Sequence, residues 1–180
     1  FDLNMRKGNN EKHEFSGQIG FLGTELFAEG PINKETKSSY LVSFRYSTLQ
    51  LFQFMNLQIG TSAVPNYYDG AFKLSFPKGK GVFNVFGVGG KSNIDILVSE
   101  FDKAETELYG DSDRDQYFGT SMAVTGVSYG HQINSTTYGK AVLSYAWQEN
   151  HAKHVLVYRN AEFEIDSMIP NMNYHFIDQK

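Results

Sequence analysis

A chain of 180 residues with a net charge of −4 has the size of one domain, and its scattered basic residues exclude the concentrated positive surface of a nucleic-acid-binding protein. No stretch of about 18 consecutive apolar residues is present to form a transmembrane helix. Aromatic residues make up 15% of the chain and cysteine is absent, a composition that favours β structure. A soluble β-sandwich and a membrane β-barrel both fit these numbers.

The first predicted strands are short. Residues 1–8 alternate apolar and polar side chains and predict one strand that ends at Gly8. The next strand carries apolar or small residues on one face, at Phe15, Gly17, Ile19 and Phe21. A reversal at residues 22–24 leads into a strand over residues 25–30. Pro31 is expected to end that strand, because proline cannot donate to the ladder of a central strand.

The clearest alternation lies in residues 39–47 and recurs in residues 71–76 and 141–147. One face of these three strands is apolar: Tyr40, Val42, Phe44 and Tyr46; Phe72, Leu74 and Phe76; Ala141, Leu143, Tyr145 and Trp147. The opposite faces carry Arg45, Lys73 and Lys140, which would point into the lumen of a barrel or into solvent in a sandwich. Predicted spans of roughly 9–14 residues exceed the usual globular strand and suit a tilted membrane strand.

Short and long connections alternate along the chain. Turns at residues 33–38, 77–81 and 133–137 are short, whereas residues 51–68 and 92–116 form long polar stretches. This rhythm is typical of an outer-membrane barrel, which has short turns at one end and long loops at the other. The sequence therefore predicts an all-β, antiparallel up-and-down transmembrane β-barrel, present in part as about seven strands. Residues after Asn150 are harder to interpret. Those near His154 allow a strand, and those after Arg159 are expected to form an external loop.

Two motifs suggest chemistry without completing it. The glycine-rich residues 87–92 lack the first Gly of a phosphate loop. Asp111, Asp113 and Asp115 imitate a calcium loop, but Gln116 and Met122 occupy the positions that require Gly and Glu. A solvated acidic loop and a cation site of another kind both remain open for these aspartates.

Histidine and hydroxyl residues give no catalytic pattern. His151 and His154 have the spacing of one helical turn but no third ligand, so a solvated loop is expected there. The sequence Asn134-Ser135-Thr136 fits both a glycosylation acceptor and a hairpin turn. No nucleophile elbow is present. We expect no enzyme activity, no metal and no cofactor.

The chain resembles the TonB-dependent receptors of Bacteroidota-type bacteria, the SusC-like transporters with a carboxypeptidase-like regulatory domain. The hydrophobic–basic–glycine segment that begins Phe1-Asp2-Leu3 is similar to the end of the plug domain in that family. Further segments that carry the resemblance are residues 25–32, 38–47, 72–77 and 86–92. The resemblance implies that residues 1–12 end the plug and that residues 13–180 begin a larger barrel of about 22 strands.

The resemblance also implies a function and a location. Such a receptor lies in the bacterial outer membrane and imports a nutrient ligand with energy from the TonB complex, which contacts a plug region outside this chain. A SusD-like surface lipoprotein and outer-membrane lipid are the further partners implied, and no nucleic acid is. The expected ligand-binding loop residues are Phe52, Phe54, Tyr67, Tyr68, Asp111, Asp113 and Asp115. The alternative is a soluble secreted β-sandwich of the carbohydrate-binding type.

Overall fold

A computed structural model of the chain describes residues 4–20, 23–47, 49, 65–100 and 111–180. Eight strands account for most of these residues, with one short 3₁₀ turn at Val98–Glu100. The strands are β1 (Glu14–Ile19), β2 (Thr24–Asn33), β3 (Ser38–Tyr46), β4 (Asn66–Lys78), β5 (Gly81–Ile96), β6 (Arg114–Gln132), β7 (Tyr138–Arg159) and β8 (Ile165–Gln179).

All eight strands belong to one open sheet. Each strand pairs with the next along the chain, always antiparallel, so the spatial order is the chain order from β1 to β8. The outer edges of β1 and β8 have no partner strand among the described residues. The predicted all-β, antiparallel up-and-down arrangement is therefore confirmed, with eight strands where about seven were expected.

Several predicted boundaries were wrong. The tail after Arg159, expected to be a loop, contains β8, and β4 begins at Asn66, inside the predicted loop 51–68. The predicted loop 92–116 is shortened at both ends, because β5 continues to Ile96 and β6 begins at Arg114. Residues 4–9 are not a strand. Residues 1–3, Phe21, residues 51–64 of the first predicted loop and residues 101–110 of the second lie outside the described residues.

Pro31 does not end its strand. It lies within β2, where the register between β2 and β3 shifts by one residue before Asn33. The residue without a ladder partner in this bulge is Ile32, next to Pro31. β1 pairs with β2 only as far as Glu29, so at Pro31 the strand has a partner on one side only and a residue that cannot donate is tolerated. The prediction failed because Pro31 was taken to mark the end of the strand, whereas the strand continues past it through a bulge.

The register of the strands defines two faces of the sheet. Residues directly opposite each other share a face, and one such row joins Val42, Phe72, Gly87, Thr125 and Tyr145. The apolar sets predicted for β3, β4 and β7 all lie on the face of this row, which we call the apolar face. The opposite face carries the predicted cations and is called the polar face. The prediction that these sets share one surface is confirmed.

A glycine on the apolar face allows an aromatic ring to lie flat on the sheet. Gly87, part of the glycine-rich segment inside β5, is paired directly with Phe72. A Cβ atom at Gly87 would overlap the Phe72 ring. The absence of a side chain is therefore a packing requirement at this position, not a sign of a phosphate loop.

Replacement of Gly87 by alanine is expected to lower the free energy of unfolding by about 1–3 kcal/mol, because the Phe72 ring must move. The matched control is Gly139→Ala in β7, where a new Cβ would meet only the Ile133 side chain at 3.6 Å. That control should be neutral or slightly stabilising, since alanine loses less conformational entropy than glycine. Urea unfolding followed by the fluorescence of Trp147 measures both. Equal effects in the two variants would contradict the packing role.

Candidate functional site

The apolar face is bare over much of its area. Leu143 is 74% exposed, Phe15 75% and Phe44 47%. Twelve exposed large apolar side chains lie on this face in β1–β7: Phe15, Ile19, Leu26, Val42, Phe44, Tyr46, Tyr68, Phe72, Phe83, Tyr129, Leu143 and Tyr145. We call them the apolar band. Contiguous apolar patches of this kind mark protein–protein or membrane contacts.

Aromatic side chains mark both limits of the apolar band. At the upper limit Tyr46 lies opposite Tyr68. At the lower limit Phe76 lies opposite Phe83, with ring centroids 6.4 Å apart, and Phe83 lies opposite Tyr129. Eight residues of β4 separate the two rows, about 27 Å at about 3.4 Å per residue. In a strand tilted by about 35–45° this corresponds to a height of about 19–22 Å, somewhat below the apolar band of roughly 25 Å found on outer-membrane barrels.

Three strands continue well beyond the upper aromatic row. β6 has 19 residues and β7 has 22, about twice the length that a tilted strand needs to cross a bilayer. On the apolar side of this extension the residues become polar: Lys91, Asn93 and Asp95 in β5, and Glu149, His151 and Lys153 in β7. On this face β5 and β7 therefore change from apolar to polar near the upper row, whereas β8 keeps an exposed Ile177 opposite Glu149.

A small core closes the far end of the extension. Ile96, Val98, Val155 and Val157 are buried there. The carboxylate of Asp115, only 1% exposed, accepts hydrogen bonds from the amide nitrogen and Oγ of Ser99 at 2.9 and 2.8 Å. The 3₁₀ turn is thereby fixed to β6.

The three predicted loop aspartates do not converge. Asp115 lies buried in β6, whereas Asp111 and Asp113 are exposed and pair with Arg114 at 3.3 and 2.7 Å. The hydrogen bond from the Arg114 guanidinium lowers the pKa of Asp113, so this carboxylate is ionised at neutral pH. Among the described residues no group of three or more His, Cys, Asp or Glu has the geometry to hold a metal ion.

The predicted aromatic ligand contacts also separate. Tyr67 and Tyr68 are neighbours in β4, not in a loop, and their side chains lie on opposite faces of the sheet. The Arg45 guanidinium stacks over the Tyr67 ring at 5.3 Å. Phe52 and Phe54 lie outside the described residues. In the same way, His151 and His154 lie on opposite faces of β7, where a loop was expected.

The predicted cations Arg45, Lys73 and Lys140 all lie on the polar face. Arg45 donates through Nε to Oδ2 of Asp69 at 2.8 Å. Lys73 donates through Nζ to the backbone oxygen of Met5 at 2.6 Å. Lys140 is exposed. Two of the three cations are therefore held by contacts within the chain, which assigns them a structural role.

Residues 4–9, which we call the N-terminal segment, pack on the polar face. Both guanidinium nitrogens of Arg6 donate to the carboxylate of Glu29, at 2.5 and 2.6 Å. The backbone amide of Asn9 donates to the same carboxylate at 2.8 Å. Gly8 lies against the backbone oxygen of Tyr40 so closely that no side chain would fit. Glu29 is only 4% exposed beneath this segment.

A row of small polar residues crosses the polar face beside this segment. The Oγ of Ser75 donates to Oδ1 of Asn84 at 2.9 Å, and Nδ2 of Asn84 donates to Oγ of Ser128 at 3.2 Å. Ser75 and Ser128 are buried. Sequence reasoning missed this row. The sequence feature that could have indicated this row is that all three residues occupy polar positions in strands that alternate between apolar and polar side chains.

A recess of about 330 Å³ opens on the polar face of the extension. Its lining includes Ser92, Ile94, Phe118, Thr120, Asn150 and Tyr174. The rings of Phe118 and Tyr174, three hydroxyls, an amide and His151 line it, and the described lining holds no Lys, Arg, Asp or Glu. The recess has the size of a small-ligand site and offers hydrogen bonds without a net charge.

Comparison with known proteins identifies no relative, because no family model, no curated protein and no solved structure matches the chain. In the described part of the chain, no helix is long and apolar enough to span a membrane. The resemblance of residues 1–50 to TonB-dependent receptors stays a prediction.

Replacement of Glu29 by glutamine is expected to release the N-terminal segment, since the paired charges and one acceptor of the Asn9 amide are lost. Trypsin cleavage after Arg6 or Lys7 should become about tenfold faster. The matched control is Glu25→Gln, an exposed carboxylate on the same face of β2. Cleavage at equal rates in the two variants would contradict the anchoring role of Glu29.

Proposed function

We propose that the chain is the N-terminal part of the barrel of a TonB-dependent receptor in the bacterial outer membrane. The apolar face meets lipid and the polar face lines the lumen. Residues 1–12 connect the barrel to the plug, and the protein imports a nutrient ligand with energy delivered by the TonB complex. It acts as a receptor and transporter, not as an enzyme.

The observation that carries this proposal is an inversion of the usual burial. In a soluble sandwich the apolar face is covered by a second layer and the polar face meets water. Here the N-terminal segment covers part of the polar face, where Glu29, Ser39 and Ser75 are buried. The apolar band is bare, and the described residues form a single sheet. Lipid supplies the missing contact.

The energetic argument favours a permanent cover for the apolar band. Burial of one large apolar side chain stabilises a protein by about 1.5–3 kcal/mol, and these twelve side chains are roughly half exposed. Their remaining exposure therefore amounts to on the order of 10–20 kcal/mol. This value equals or exceeds the whole stability of a typical domain, about 5–15 kcal/mol. A bilayer between the two aromatic rows covers the entire band at once.

The polar face supports the transport part of the proposal. The contact between the N-terminal segment and β2–β4 is the connection expected where a plug joins its barrel wall. Arg45, Lys73 and Lys140 then face the lumen. Beyond the membrane, the strand extension and the stretches 51–68 and 92–116 contribute to ligand capture or to docking of a SusD-like lipoprotein. The recess beside Phe118 and Tyr174 is the contact surface that we assign to the ligand.

Arginine substitutions at two neighbouring residues of β7 test the lipid contact. Tyr145 lies on the apolar face, in the row midway between the two aromatic rows, and Ser144 lies exposed on the polar face. Tyr145→Arg should reduce folded protein in the outer membrane strongly, because arginine on the lipid face costs about 2–4 kcal/mol near the midplane. Ser144→Arg should assemble nearly normally. The measurement is the heat-modifiable band on gels of purified outer membranes.

The same pair separates the barrel from a soluble protein whose apolar face stays in water. In such a protein Tyr145→Arg would be nearly neutral, as Ser144→Arg is. Fractionation of the native full-length protein provides the independent control. Recovery in the soluble periplasm or in the medium would refute the receptor and leave the secreted sandwich.

A further inference from the structure

The two ends of the sheet carry opposite charge. The connections β2–β3 and β4–β5 hold four exposed lysines, Lys34, Lys37, Lys78 and Lys80, against the single carboxylate of Glu35. The opposite end is acidic, with Glu100, Asp111, Asp113, Glu162, Glu164 and Asp166. We call the four lysines the basic turns. None of their ammonium groups forms an ion pair with another described residue.

The basic turns lie at a defined height on the sheet. Lys78 follows Phe76 of the lower aromatic row by two residues, about 7 Å along the strand. Ser39 lies opposite Ser75, which places Lys37 level with residue 77. Both turns therefore project just beyond the row that bounds the apolar band. The lysines occupy the position where a bilayer that covers the band has its phosphate groups.

The third short connection at this end, between β6 and β7, is uncharged where the other two are basic. Residues 133–137 carry no charge, and Ile133 is 58% exposed, as is Tyr138 at 60%. An exposed isoleucine and a tyrosine are suited to the boundary between acyl chains and headgroups. The lysine side chains have flexible apolar stems that can lie along the band while the ammonium group reaches the phosphate.

We propose that the basic turns bind the headgroups of anionic phospholipids, with phosphatidylglycerol as the representative chemistry. This inference rests on the proposed function, because it requires the apolar band to lie in a bilayer. Lysines near an anionic membrane surface are attracted to it individually, and the attractions add while the side chains stay within a Debye length. The acidic opposite end offers these headgroups no such attraction, so the basic turns anchor only their own end of the sheet.

The test uses the native full-length protein, reconstituted into nanodiscs of phosphatidylcholine that contain a minor fraction of phosphatidylglycerol. Mass spectrometry of the lipid retained on the protein after mild detergent extraction measures the enrichment of phosphatidylglycerol over the bulk mixture. Replacement of Lys34, Lys37, Lys78 and Lys80 by glutamine should reduce that enrichment about fivefold or more. High salt should reduce it in the unmodified protein.

The control replaces Lys153, an exposed lysine beyond the upper aromatic row, and should retain the enrichment. If the fourfold variant does not assemble, the pairs Lys34→Gln with Lys37→Gln and Lys78→Gln with Lys80→Gln are measured separately. Absence of enrichment in the unmodified protein, or equal enrichment in the basic-turn variants, would overturn the inference. Failure of the unmodified protein to enter nanodiscs of any composition would instead refute the proposed function.

Discussion

Removal of the apolar band from water is the requirement on which the rest of the structure depends. A face of a single open sheet is buried only where another segment or molecule covers it. Here the N-terminal segment covers part of the polar face. The band has aromatic limits, Tyr46 with Tyr68 above and Phe76 with Phe83 below. Its height is set by strand geometry, so the covering medium must have a matching thickness. A bilayer meets that condition.

The contacts on the polar face follow from the packing of the N-terminal segment. Charged and hydroxyl residues beneath that segment need partners, because the segment limits their contact with water. Glu29 accepts hydrogen bonds from Arg6 and the Asn9 amide, and Lys73 donates to the Met5 oxygen. Asn84 joins two serines into one hydrogen-bonded row. Each contact ties the N-terminal segment or a neighbouring strand to this face of the sheet.

The alternation of apolar and polar residues made much of this fold predictable, and the predictions that failed have physical explanations. The pattern Tyr40, Val42, Phe44 against Arg45 placed β3 and its faces correctly, because one side of that strand is uniformly apolar. β8 was missed because each of its faces mixes polar and apolar residues and its register shifts twice against β7. Asp115 was predicted to be a loop residue. It is instead a buried acceptor for Ser99, which lies 16 residues earlier in the chain and is brought close only by the fold. The Arg6–Glu29 contact spans 23 residues and has no local signal.

The central claim is that the apolar face of the sheet contacts lipid, and spin labels along β3 test it most directly. Single cysteines at residues 40–46 of the native full-length protein, in an otherwise cysteine-free background, would carry the labels in bilayers. The account predicts that collision with oxygen, which concentrates in the acyl chains, is high at Tyr40, Val42 and Phe44. It should be low at the intervening positions, where a water-soluble nickel reagent should collide more often. Uniform access of the nickel reagent to the apolar-face positions would contradict the claim.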